Sequence, residues 1–238
     1  MGGTGLGGLA AYLFRRGTDR TVSVLLSFAA GMMLAVVCAD LLTDAIQAGP
    51  GLSALPAASA SVLAGCGGIW LLEELVSGLQ AGAKRGGLFL AGVVMAAAIA
   101  LHNLPEGMVI GASYAADLAE AGQDGRMMAL VIGLHNIPEG MAVAVPLAAG
   151  GASRGRAVLT TAAAGAPTVL GAVLGFCLGT MGPGLQMLTL GGASGAMLYV
   201  VFGELLPESE HLWQSKLSGL ATMLGLLLGL VLIFSHHH

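Results

Sequence analysis

Long apolar runs follow one another along almost the whole chain, separated only by short polar breaks. Of the 238 residues, 56% are hydrophobic and 9% are charged, whereas ordinary soluble domains carry about 25% charged residues. Such a composition supplies too little polar surface to cover a soluble fold of this size. The runs therefore predict helices that span a lipid bilayer.

The positions of the runs predict eight helices. They cover residues 2–14, 22–46, 58–80, 88–116, 127–149, 157–180, 185–206 and 217–234. The first run is shorter than the roughly 20 residues that a span needs. We expect an all-α, polytopic integral membrane protein with eight transmembrane helices and a single transmembrane domain over residues 1–235. Residues 236–238 are three histidines, interpreted as the remnant of a purification tag.

Basic residues occur in alternate loops. The loops after helices one, three, five and seven contain Arg15, Arg16, Arg20, Lys84, Arg85, Arg154, Arg156 and Lys216. Of the nine Lys and Arg residues, only Arg126 lies on the other side. Because basic loops stay in the cytoplasm, this pattern predicts that both termini are extracytoplasmic.

The sequence His-Asn-x-Pro-Glu-Gly occurs twice, at residues 102–107 in helix four and 135–140 in helix five. In each copy the histidine and the glutamate are four residues apart and so share one helix face. The proline lacks an N–H and frees a backbone carbonyl one turn back. Each copy lies near the centre of its helix, close to the bilayer midplane. We expect four side chains to converge there, those of His102, Glu106, His135 and Glu139.

This combination of side chains favours a divalent metal site. Imidazole and carboxylate ligands suit Zn²⁺ and neighbouring first-row ions, and the amides of Asn103 and Asn136 lie beside them. An ionised residue at a helix centre costs about 2.5–3.5 kcal/mol, so a packing role for both Glu106 and Glu139 is the less favoured interpretation. No long basic run or nucleic-acid motif is present, and a nucleic-acid partner is not expected.

Other polar residues in the apolar runs give weaker signals. Asp40 and Asp44 end helix two, and Glu204 and Glu208 end helix seven. They either line an ion path or lie at the water interface, where an ionised carboxylate costs little free energy. Met33 is either a soft metal ligand or ordinary core, and core is the favoured interpretation.

With these motifs the chain resembles the ZIP (Zrt-, Irt-like) family of metal transporters, and its bacterial GufA-type branch most closely. The resemblance covers nearly the whole chain and includes FAAGMML, HNLPEG, HNIPEG and ELLPE. It implies transport of divalent metal ions, zinc first and iron, manganese or cadmium as alternatives, towards the cytoplasm across a bacterial inner membrane. It also implies a homodimer, one helix group that slides against another, and no organic cofactor.

The resemblance also implies a binuclear site. One metal position matches His102, Glu106, His135 and Glu139, with Met33 as a further contact. A second position matches Asn103 and Asn136, with the two glutamates bridging. Related bacterial sequences often carry an acidic residue in helix six to complete this second position, whereas Thr168 stands there in this chain. A hydroxyl is a poorer ligand, so the second position is expected to be weak or absent.

Two other classes of protein compete with a transporter. A membrane-embedded zinc-dependent hydrolase would use a metal-activated water, an open coordination position and a substrate cavity, but the HExxH signature is absent. A structural or signalling membrane protein would bind no metal. We therefore predict a transporter and not an enzyme, with metal ions and membrane lipid as its partners.

Overall fold

The fold was obtained as a computed structural model, and it describes residues 1–11, 19–49, 51–83, 87–120 and 124–236. Over these residues the chain forms helices and no strands, so the all-α prediction is confirmed. We number the helices in chain order. They are α1 (Gly2–Ala10), α2 (Asp19–Ala48), α3 (Leu55–Ala83), α4 (Gly87–Glu120), α5 (Asp124–Ala149), α6 (Arg154–Thr180), α7 (Pro183–Leu212) and α8 (Lys216–His236).

Each predicted helix is found at its expected place, but some ends differ. Helix α7 continues to Leu212, beyond the predicted 206, so Glu208 lies within the helix. Helix α6 is interrupted between Ala164 and Pro167, where the proline has no N–H to continue the ladder. Arg15, Arg16, Lys84 and Arg85, on which the orientation partly rests, lie outside the described residues.

In the described ranges, five helices are long and apolar enough to cross a membrane, namely α2, α5, α6, α7 and α8. The most apolar stretches of α2 and α7 are 67% and 61% buried inside the bundle, whereas those of α6 and α8 are each 28% buried. Large apolar side chains such as Leu170, Leu224 and Val231 therefore cover the outside, where lipid tails solvate them. The chain is an integral membrane protein.

The helices pack in two groups. Helices α1, α4, α5 and α6 contact mainly one another, as do α2, α3, α7 and α8. The two groups meet mainly where α4 packs against α7 and where α2 packs against α5, with smaller contacts of α6 with α7, α3 with α4 and α8 with α5. The two His-Asn-x-Pro-Glu-Gly motifs belong to the first group, on its side that faces the second.

Glycine brings helices α4 and α6 into backbone contact beside the first motif. A Cβ atom at Gly107 would overlap the carbonyl oxygen of Thr168, and one at Gly171 would overlap that of Leu104. Small residues are what helix association in membranes uses, because they let backbones approach closely. Thr168 is consequently held next to the motif of α4.

Helices α2 and α7 each contain one π-helical turn, at Val37–Leu41 and at Val201–Leu205. A π turn adds a residue to the helical ladder and is frequent at functional sites. Asp40 lies in the first of these turns and Glu204 in the second. Both turns therefore present a carboxylate within an apolar span.

Candidate metal site

The two motifs lie inside long helices that continue through their prolines, Pro105 in α4 and Pro138 in α5. Because the histidine and glutamate of each motif are one turn apart, both point to the same side of their helix. All four side chains are buried: His102 is 3% exposed, and Glu106, His135 and Glu139 are 0% exposed. The bundle interior thus contains four buried ionisable groups, two on α4 and two on α5.

Three of these side chains form a group that could hold a metal ion. One ligand atom from each of Glu106, His135 and Glu139 lies within 4.8 Å of the others. His135 Nε2 donates to Glu106 Oε1 over 3.0 Å. Glu106 Oε2 and both carboxylate oxygens of Glu139 have no hydrogen-bond partner among the described residues. Buried polar atoms without a partner are costly, and a bound cation would satisfy them. We call these three residues the central cluster.

His102 lies apart from the central cluster. Its Nε2 is 2.9 Å from Glu204 Oε1 on α7, although the two atoms are not oriented as a hydrogen bond. The Glu204 side chain is 21% exposed. The sequence predicted that His102 joins the other three side chains, whereas the structure places it against one of the predicted pathway residues.

Asn103 and Asn136 belong to a hydrogen-bond network that ties three helices together. Asn103 Oδ1 accepts from Thr168 Oγ1 over 3.0 Å and from Asn136 Nδ2 over 3.3 Å. Asn103 Nδ2 donates to the carbonyls of Ile99, over 2.8 Å, and Ala164, over 3.2 Å. All the polar atoms of the Asn103 side chain are therefore engaged, and this network connects α4, α5 and α6.

The remaining predicted residues lie on α2 and α7. Met33 is fully buried on α2 and belongs to the core cluster that contains Val109 and Ile132. Asp40, Asp44 and Glu208 are half-buried. Their contact with a metal ion stays a prediction.

A buried group of serines, not predicted from the sequence, joins α2, α7 and α8 at one end of the bundle. Ser23 Oγ is 2.9 Å from Ser209 Oγ and 3.0 Å from Ser218 Oγ, and Ser27 also bonds Ser209. Nearby, Arg20 lies over the ring of Trp213 at 5.4 Å. We call these four serines the serine cluster, and the end that contains it the basic end. Isolated serines in apolar runs give no pattern from which such a cluster is predictable.

A helical membrane protein with a buried carboxylate–imidazole–carboxylate cluster between two proline-containing helices has the features of a membrane carrier for metal cations. The chain matches the family described as ZIP zinc transporter over residues 80–235, which include both motifs. It belongs to this family, as the motifs predicted.

Several relatives agree with this assignment. The chain is 35% identical to the zinc transporter ZupT of Chlorobium luteolum, over 90% of this chain and 86% of the relative. It is 35% identical to the zinc transporter ZIPB of Bordetella bronchiseptica, over 87% and 69% of the two chains. It is also 37% identical to the zinc transporter GufA of Myxococcus xanthus, over 58% and 53%. The chain is a transporter and not an enzyme, and the hydrolase alternative finds no support.

Proposed function

We propose that this chain carries divalent metal ions across the bacterial plasma membrane into the cytoplasm, with zinc as the principal ion and iron, manganese or cadmium as further candidates. The observation that carries the proposal is the central cluster, whose ligand atoms lie within 4.8 Å of one another in the bundle interior. Nitrogen and oxygen ligands hold Zn²⁺ at about 2.0–2.2 Å. The zinc transporters among its relatives support zinc as the principal ion.

The carboxylates of α2 and α7 provide a route on both sides of the central cluster. The two helices run in opposite directions, because the start of α2 meets the end of α7 at the serine cluster. Asp40 and Asp44 therefore lie towards the end opposite the basic end, whereas Glu204 and Glu208 lie towards the basic end. Under the positive-inside rule, an incoming ion would pass Asp40 and Asp44 first.

The hydrogen bonds around Asn103 favour a single ion at the central cluster. A second ion bound by Asn103 and Asn136 would have to break the bonds that Thr168 and Asn136 donate to Asn103 Oδ1. Each such bond is worth about 0.5–1.5 kcal/mol. Thr168 offers only a neutral hydroxyl in return, so the second position is weak or absent.

During transport, one of the two helix groups shifts against the other. The central cluster belongs to the group of α1, α4, α5 and α6, which touches the other group mainly where α4 meets α7 and where α2 meets α5. A shift of one group against the other would carry the ion past the carboxylates of α2 and α7. A homodimer, implied by the resemblance, also belongs to this proposal.

The decisive experiment is uptake of zinc into proteoliposomes, with iron, manganese and cadmium as competitors. We expect the double variant Glu106→Gln, Glu139→Gln to lose uptake and zinc affinity by at least about tenfold, since removal of groups that only support a metal ligand already costs that much. Glu210→Gln is the matched control, because Glu210 is exposed on α7. Uptake by the double variant at the wild-type rate would contradict the proposal.

A further inference from the structure

A cleft with a volume of about 510 Å³ opens between α1 and the first part of α6, on the outside of the bundle. We call it the α1–α6 cleft. One residue of α1 and five residues of α6 line it, namely Leu9, Arg154, Gly155, Val158, Leu159 and Ala162. The side chains of Leu9 and Leu159 are 56% and 70% exposed. The cleft is therefore open to the surroundings of the bundle, which for a membrane protein are lipid.

Small residues of α1 bring the two helices together behind the cleft. A Cβ atom at Gly8 would overlap the hydroxyl of Thr161, and one at Gly5 would lie 3.5 Å from the Cβ of Ala162. The five lining residues of α6 recur at every third or fourth position between 154 and 162, so they share one helix face. The cleft consequently runs along this face for about 12 Å, at 1.5 Å per residue.

The two ends of the cleft differ in chemistry. Val158, Leu159 and Ala162 form an apolar wall on α6, and Leu9 faces them from α1. Arg154 is the first residue of α6 and places a guanidinium at the basic end of the cleft. An apolar channel with a cation at its end has the chemistry of a site for one phospholipid, whose acyl chain is apolar and whose headgroup is charged.

The start of α6 favours a headgroup with net negative charge. A guanidinium binds a phosphate group through two parallel N–H···O bonds. Room for such a group exists beside it, because a Cβ atom at Gly155 would meet no atom within 4 Å. The side chain of Ser153 does not cap the first turn of α6, whose backbone N–H groups add to the attraction for an anion. Basic pockets between helices at the cytoplasmic surface are where anionic lipids bind.

We propose that the α1–α6 cleft binds one anionic phospholipid of the cytoplasmic leaflet, with the headgroup phosphate at Arg154 and an acyl chain along Val158, Leu159 and Ala162. This part of α6 ends at Ala164, whose carbonyl accepts a hydrogen bond from Asn103 Nδ2. The bound lipid packs against the segment that the Asn103 network holds from the other side. The inference concerns the outer surface of the bundle and does not rest on metal transport.

Lipid titration tests the role of the arginine. The full chain in detergent is titrated with phosphatidylglycerol or with phosphatidylcholine, and native mass spectrometry counts the lipid molecules retained per chain. The unaltered chain should prefer phosphatidylglycerol. Arg154→Gln should weaken phosphatidylglycerol binding by about tenfold or more, since hydrogen bonds between charged groups are among the strongest. Arg126→Gln is the matched control, because Arg126 is also an exposed arginine in the first turn of a helix, at the opposite end of the bundle.

A second variant tests occupation of the cleft. Gly155→Leu places a side chain in the open space beside Arg154, so phosphatidylglycerol affinity should fall although the arginine is kept. Gly184→Leu is the matched control, because Gly184 is likewise the second residue of its helix and a Cβ there also meets no atom within 4 Å. In the absence of added lipid, the unfolding temperatures of all four variants should match that of the unaltered chain.

Three results would overturn the proposal. The first is equal affinity for the two lipids, and the second is an Arg154→Gln variant that binds phosphatidylglycerol as tightly as the unaltered chain. The third is full affinity in Gly155→Leu, because a lipid bound there would lie outside the cleft. None of these measurements involves zinc, so a chain that binds the lipid but transports no metal would contradict only the proposed function.

Discussion

At the scale of single residues, Thr168 determines what Asn103 can do. Its hydroxyl donates to Asn103 Oδ1 over 3.0 Å and occupies the oxygen that a second metal ion would need. We predict that Thr168→Glu, which replaces this donor with a carboxylate, raises the binding stoichiometry from one zinc ion per chain to two. Elemental analysis of the dialysed protein, together with calorimetry, would measure the number of zinc ions bound per chain.

The matched control is Thr168→Val, which removes the hydroxyl without adding a ligand. It should keep one zinc ion and lose about 1 kcal/mol of stability, the typical worth of one hydrogen bond. Two zinc ions bound to the unaltered chain would show that the Asn103 network opens on metal binding.

The spacing within each motif made the buried faces of α4 and α5 predictable from the sequence. A histidine and a glutamate four residues apart share a helix face in any helix that forms, and all four side chains are indeed buried. The partner of His102 was not predictable in this way. Whether it meets Glu139 or Glu204 depends on how α7 packs against α4, which local periodicity does not describe.

At the scale of helices, Gly107 sets the distance between α4 and α6. We predict that Gly107→Ala lowers the free energy of unfolding in detergent by about 1–3 kcal/mol, the usual cost of overpacking, because the new Cβ would overlap the Thr168 carbonyl. Zinc uptake should fall as well, since the displaced Thr168 supports Asn103.

Gly133→Ala is the matched control for this substitution. Gly133 lies in α5 just before the second motif, and a Cβ there meets no atom within 4 Å. The free energy of unfolding of the Gly133→Ala variant should stay unchanged or rise slightly, since alanine is the better helix former. If both variants lost the same free energy of unfolding, the role of these glycines would be helix flexibility and not close packing.

Hydropathy predicted the number and order of the helices but not their irregularities. A π turn adds one residue to the ladder without changing composition, so Val37–Leu41 and Val201–Leu205 read as ordinary apolar helix. The break in α6 was predictable from Pro167, which begins its second part. The apolar run continues across this proline, so hydropathy alone predicted one uninterrupted helix.

At the scale of the whole molecule, metal binding and protons are coupled through the central cluster. Its carboxylates and imidazole bind a metal ion only when deprotonated, so binding must release whatever protons they hold. We predict that zinc affinity rises between about pH 5.5 and 7.5, a range that spans the ordinary histidine pKa of about 6.5. Calorimetry in buffers of different ionisation enthalpy would count the released protons. A zinc affinity that stays the same across this pH range, with no proton released on binding, would contradict this description.

The orientation of the whole bundle is a separate prediction. Arg154, Arg156 and Lys216 lie at the basic end, and the positive-inside rule puts that end in the cytoplasm. An impermeant thiol reagent added outside sealed cells should label Arg126→Cys and leave Arg156→Cys unlabelled until the cells are opened. Both positions are exposed, so each is a control for the reactivity of the other. The reverse pattern would invert the direction of transport proposed above.

The serine cluster joins two helices that run in opposite directions, and the polarity of its hydrogen bonds follows from a single proton. Ser209 Oγ donates to the carbonyl of Ser23, and a hydroxyl has only one proton to donate. Ser209 Oγ therefore accepts from Ser23 and Ser27, and Ser23 Oγ, having donated to Ser209, accepts from Ser218. These bonds fasten α2, α7 and α8, which all belong to one helix group. That group can consequently move against the other as one rigid piece, with no charge to desolvate where its helices are joined.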